Sequence, residues 1–118
     1  MLWEKYDALR WFGMIMAKKL SDNNSKYPEG WGDNNIDELL ERALVEYKEA
    51  VEEITKYNNS ITDSDKIAAL KALILECGDV ANVMMMVAER TNYLLENLYN
   101  QDTFDLIFVP SKSDTYYD

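Results

Sequence analysis

The stretch Lys66–Arg90, KIAALKALILECGDVANVMMMVAER, sets the terms for everything else in this chain. It is almost wholly apolar, contains no proline, and carries two acids three residues apart, Glu76 and Asp79. On a helical wheel those acids fall on one arc with Ala72, Leu75, Val83, Met86 and Val87, while Lys71, Gly78, Asn82 and Glu89 occupy a separate, narrow arc. The two carboxylates are therefore expected inside an apolar surface and not on the side facing water. An ionised carboxylate removed from water without a partner is costly, so something positive has to meet them.

The chain has 118 residues, enough for one domain, read here as residues 1–100 with a C-terminal extension over 101–118. Only 4 Gly and 2 Pro occur in it, which favours helices over a strand-and-turn architecture. The expected fold class is all-α, an antiparallel helix bundle. Hydrophobic residues make up 47% of the chain, too many for an intrinsically disordered protein.

A net charge of −10 argues against nucleic acid as a partner, because phosphate backbones demand a basic face, and against an anionic membrane surface. It suits a protein that holds divalent cations, although acidity also serves solubility alone. The chain has no histidine, which excludes His-dependent triads and HExxH zinc sites. Any metal would be bound by oxygens, which points to Mg²⁺, Mn²⁺ or Ca²⁺. The single cysteine, Cys77, permits no intrachain disulfide and is expected to pack in the apolar helix. The N-terminal MLWEKYDALR does not read as a signal peptide, and the longest apolar run, Val83–Ala88, is too short for a membrane span, so a cytoplasmic location is expected.

A first helix is predicted from about Leu2 to Leu20, on the recurrence of Trp3, Tyr6, Leu9, Phe12, Met16 and Leu20. Gly13 within it either marks a close packing contact or has no packing role. Ser21 to Asn35 reads as one long loop that holds Lys26, Tyr27 and Trp31. Trp31, between two glycines, is suited either to stacking on a planar ligand or to plugging the end of a bundle. Asn35 can cap a second helix running to about Tyr57, with Glu38 as its capping partner. Its apolar stripe is Leu39, Leu40, Ala43, Leu44, Tyr47, Ala50, Val51 and Ile54, and its other side holds Arg42, Glu46, Glu49 and Glu53. Thr62 with Asp65, or Ser64, can cap the third helix. The helical pattern resumes over 92–99, either as a continuation or beyond a kink near Thr91 and Asn92. Residues 103–109, TFDLIFV, could be extended.

Two helices thus each present a pair of acids on one face: Glu46 with Glu49, and Glu76 with Asp79. Antiparallel packing would bring four carboxylates together, and four converging carboxylates do not all stay ionised without cations. Mg²⁺, with Mn²⁺ as the alternative, fits such oxygen ligands and retains waters for a substrate's phosphates. Lys19 and Lys26 would lie near enough to touch an anionic ligand.

The pattern Glu46-Tyr-Lys-Glu49 followed by Glu76-Cys-Gly-Asp79 resembles the ExxE…ExxD signature of the all-α nucleoside triphosphate pyrophosphatases, the superfamily of the MazG-like proteins, the dimeric dUTPases and dCTPases, and phosphoribosyl-ATP pyrophosphatase. ECGDVANVMMMVAE is similar to the MazG-like third helix, and Met16–Leu20, Lys26 and Gly30-Trp31 are similar to short MazG-like proteins of phages and bacteria. The resemblance covers roughly residues 10–90. It implies an all-α MazG-like fold and hydrolysis of a nucleoside triphosphate, with a purine deoxynucleotide as a reasonable guess, to the monophosphate and pyrophosphate. It implies Mg²⁺ held by Glu46, Glu49, Glu76 and Asp79, with Glu46 or Glu49 as general base. Lys19, Lys26, Trp31 and Asn82 would contact the nucleotide. It also implies a homodimer or homotetramer. The competing expectation is a non-catalytic helical interaction protein of the same fold.

Overall fold

In the computed structural model, residues 3–23 and 34–99 are described, and all of the regular structure among them is helical. Helix α1 spans Lys5–Asp22, α2 spans Ile36–Asn59 and α3 spans Asp63–Leu98. Lys26, Trp31 and the segment 103–109 lie outside the described residues.

The two caps expected from sequence are in place. The Glu38 N–H donates to Asn35 Oδ1 at 2.8 Å, and Asn35 Nδ2 donates in return to Glu38 Oε1 at 2.9 Å. At the start of α3 the Asp65 N–H donates to Thr62 Oγ1 at 3.1 Å. Each satisfies an orphan donor of a first turn, typically worth about 1 kcal/mol. Helix α3 runs unbroken through Thr91 and Asn92, so of the two readings of that region continuation holds. The Thr91 hydroxyl donates to the Val87 carbonyl at 2.7 Å, which settles its side chain without interrupting the helix.

Helix α3 is the centre of the bundle, packing against both α2 and α1. Only Ser60, Ile61 and Thr62 separate α2 from α3. The pair is antiparallel: Glu46 lies near Asp79 and Glu49 near Glu76, while Glu53 shares a cleft with Ala69 and Ala72. The buried apolar residues among those described are Leu39 and Ala43 from α2 and Ala69, Val83 and Met86 from α3. Burial of the larger ones contributes about 1.5–3 kcal/mol each.

Several expectations change here. The arc of α3 that carries Gly78 and Asn82 faces α1 instead of water, and both residues are buried. A Cβ on Gly78 would come within 3.0 Å of Ile15 Cγ2 and 3.3 Å of Lys19 Cγ, so the close helix–helix contact is made at Gly78, while Gly13 has open space around it. On α2 the side bearing Arg42, Glu46 and Glu49 turns inward together with Leu39 and Ala43, and Leu40, Leu44, Tyr47 and Val51 of the apolar stripe remain exposed. Cys77 is exposed as well, in an open apolar groove lined by Tyr47, Val51, Ile54, Leu73 and Val80. The reason is common to all of them. A wheel places residues on arcs but does not say which arc meets which neighbour, and α3 has two neighbours to satisfy.

Candidate metal centre

Glu46 and Glu49 stand on one face of α2 because they are three residues apart on a helix. The antiparallel hairpin carries Glu76 of α3 to the same level. One carboxylate oxygen from each of Glu46, Glu49 and Glu76 lies within 4.8 Å of the other two. Glu46 is 4% exposed, while Glu49 and Glu76 are half-buried at the mouth of the site. This is the convergence expected from the two acid pairs, with three members of the four.

The fourth, Asp79, is buried one turn further along α3 and is held by the first helix. Asn23 Nδ2 donates to its Oδ1 at 3.0 Å, and Lys19 Nζ lies 3.4 Å from its Oδ2. Gly78 permits that contact, since α1 approaches closely enough for the Lys19 stem to pass where a side chain would otherwise stand. Asp79 therefore has the positive partner that its position demanded, and that partner is a lysine of this chain.

Two of the remaining acids carry the cost of crowding. Burial pushes the Glu76 carboxyl up to about 7, with the charges of Glu49 and Asp79 adding to the effect. Burial also raises Glu46, helped by the Glu49 carboxylate within hydrogen-bonding reach and by the charge of Asp79, and opposed by Arg42. Glu76 Oε2 is buried without any hydrogen-bond partner. A carboxylate oxygen left in that state incurs its full desolvation cost.

Lys19, Asn82 and the four acids can be placed. Lys19 is engaged with Asp79. Asn82 is 4% exposed and its Nδ2 donates to the Met16 carbonyl at 2.8 Å, tying α3 to α1, while its side chain also lines the cleft beside the acids. Glu53, about one turn beyond Glu49 on α2, pairs with Lys56 at 3.0 Å.

Two residues join the site that the sequence did not single out. Asn23 closes α1 and clasps Asp79. Arg42 lies one turn before Glu46 and places Nε 3.2 Å from Glu46 Oε1. Its signal was available in the i, i+4 spacing of an arginine and a glutamate on one helix, but an exposed pair and a buried one look alike at that level. Asn23 had no such signal, because its role depends on where α1 ends. No family model matches the chain, and neither a curated protein nor a solved structure does.

Proposed function

We propose that this chain is a Mg²⁺-dependent nucleoside triphosphate pyrophosphohydrolase of the MazG-like kind, releasing the monophosphate and pyrophosphate from a nucleotide such as a purine deoxynucleoside triphosphate. The observation that carries the reading is the convergence of Glu46, Glu49 and Glu76 within 4.8 Å. The donor set fits the ion: three carboxylates, all oxygen, one with an orphaned buried oxygen that a cation would satisfy. Mn²⁺ suits the same ligands.

Glu46, Glu49 and Glu76 would hold the ion, with Asp79 completing the acidic face from its place beside Lys19. When bound, Mg²⁺ supplies Lewis-acid stabilisation of the phosphates and lowers the pKa of water. Glu49 lies close to both Glu46 and Glu76 and is more open than Glu46, which supports a role for it as acceptor of the attacking water's proton. Lys19 stands beside the acids, where its charge would meet a phosphate. The test is incubation with a panel of ribo- and deoxynucleoside triphosphates and Mg²⁺, assayed for pyrophosphate. Release of pyrophosphate with the matching monophosphate is expected. Orthophosphate alone, or no turnover of any nucleotide, would refute the reading and leave a non-catalytic interaction protein.

The same reading includes assembly into a homodimer or homotetramer. Its support is the apolar surface that α2 and α3 leave open, with Leu44, Tyr47 and Val51 on one helix and Ile74, Met84 and Met85 on the other. Sedimentation equilibrium is expected to give a dimer or tetramer, and a monomer across the micromolar range would remove this element.

A further inference from the structure

The two stripes of side chains that meet at the acidic centre do not stop there. On α2, Glu46 and Glu49 are continued by Glu53, Lys56 and Ser60 at spacings of three and four. On α3, running the other way, Asp79 and Glu76 are continued by Ala72, Ala69 and Asp65 at the same spacings. Because the helices are antiparallel, both continuations run from the carboxylates toward the α2–α3 connection, and together they line one trough of about 650 Å³. The trough exists because α3 changes there from acids to alanines: Ala68, Ala69 and Ala72 have nothing beyond Cβ to fill the space beside α2. Ala69 is buried, Ala72 half-buried and Ala68 exposed, so the alanines rise from floor to rim.

Toward α1 the acidic centre is closed. The space left there among Leu20, Asn23, Arg42 and Asn82 is about 10 Å³, room for a single water. Of the two directions along the seam, only the one toward the hairpin leaves, among the described residues, the roughly 300 Å³ or more that a small-molecule site occupies.

The lining selects which part of a ligand belongs in the trough. Lys56 is the one cation among the described residues that line it, and it is paired with Glu53. With Asp65 added, two carboxylates face one ammonium, which disfavours a phosphate. The Thr55 and Ser60 hydroxyls donate to the Val51 and Lys56 carbonyls of their own helix at 2.9 and 2.6 Å, and so keep only lone pairs for a ligand. The Asn59 amide offers a donor and an acceptor together. An uncharged, flat group with a polar edge suits a surface of alanine methyls bounded by an amide and hydroxyls.

We propose that this trough receives the sugar and base of the nucleotide, with the base against Ala68, Ala69 and Ala72 and its polar edge toward Asn59. This rests on the pyrophosphohydrolase reading above and gives the substrate a direction, phosphates at the acidic centre and nucleoside toward the α2–α3 connection.

The experiment is calorimetric binding, at saturating Mg²⁺, of inorganic tripolyphosphate and of the α,β-methylene analogues of the common ribo- and deoxynucleoside triphosphates, which resist cleavage at that bond. It uses the full chain, Ala68→Leu and Asn59→Ala, both at exposed positions. At least one analogue is expected to bind the unsubstituted chain more tightly than tripolyphosphate. Ala68→Leu, which fills part of the trough, is expected to weaken that analogue about tenfold or more. Asn59→Ala is expected to weaken it several-fold, and neither variant to change tripolyphosphate affinity. If Ala68→Leu fails to fold, Asn59→Ala decides in its place. The proposal is overturned, with the parent reading intact, if no analogue binds more tightly than tripolyphosphate, if the deciding variant leaves the analogue unaffected, or if it weakens both ligands alike. An unsubstituted chain that binds neither tripolyphosphate nor any analogue would overturn both.

Discussion

Replacing Glu76 by glutamine is expected to stabilise the metal-free protein at pH 8 and to abolish pyrophosphate release. Both effects have the same origin. Glu76 is the acid whose carboxyl is driven up to about 7, first by burial and then by Glu49 and Asp79, and one of its oxygens has no partner. At pH 8 the folded chain has to carry it ionised, next to Glu49 and Glu46. Glutamine keeps the shape, removes one of the like charges and offers an N–H to a neighbouring carboxylate. The gain is about 1–2 kcal/mol, less than full conversion of the shift because the site opens to water. For a domain of this size that is roughly 5 °C in Tm. The loss in turnover should be about a hundredfold or more, since a proposed ligand of the ion has been neutralised. Differential scanning calorimetry and the pyrophosphate assay together read the two effects. A variant that is less stable than its parent at pH 8, or that keeps full activity, would separate Glu76 from the role given to it.

The pH dependence of the metal-free protein should have a sign opposite to that of most acidic domains. A carboxylate held by a salt bridge has a lowered pKa and loses its stabilising effect on acidification. Glu76 instead has a folded pKa near 7 against an ordinary value of 4.5, and Glu46 is raised in the same direction. Between about 4.5 and 7 the folded chain holds a proton that the unfolded chain has released. Stability conferred by Glu76 is therefore full below pH 4.5, declines as the pH rises through that window, and is gone above about 7, and Glu46 acts in the same direction. In EDTA, Tm is expected to be higher at pH 5 than at pH 8. A metal-free Tm that rises steadily from pH 5 to pH 8 would show that the carboxylates have relaxed apart in solution.

Much of this was legible in the residues. The scarcity of Gly and Pro announced helices, Asn35 and Thr62 announced where two of them begin, and the i, i+3 spacing of Glu46–Glu49 and Glu76–Asp79 announced shared faces. The convergence of three acids followed from one further step, that α2 and α3 pair antiparallel across a short connection. What could not be read was the part that depends on α1. Asp79 is satisfied by Lys19 and Asn23, more than fifty residues away in the chain. Asn82 looked like a solvent-facing or ligand-facing amide and is committed to the Met16 carbonyl. Gly78 looked like one more polar position and is the point of closest approach between helices. Each is a fact about which neighbour an arc meets, and spacing along one helix contains no information about that. The acid problem posed by α3 accordingly splits in two. Asp79 is answered inside the chain by Lys19, and Glu76 is the acid for which a cation from outside is proposed.

The central claim, that a divalent cation is the missing partner of Glu46, Glu49 and Glu76, is tested most directly by a Mg²⁺ titration of Tm at pH 8, run in parallel on the unsubstituted chain and on Glu76→Gln. An ion that binds the folded state alone stabilises it by RT ln(1 + [Mg²⁺]/Kd). Tm of the unsubstituted chain is expected to climb logarithmically with Mg²⁺ concentration, starting below that of Glu76→Gln and overtaking it, while the variant responds weakly. Two flat or parallel titrations would contradict the claim, and the three carboxylates would then be a cluster that the fold tolerates without a cation.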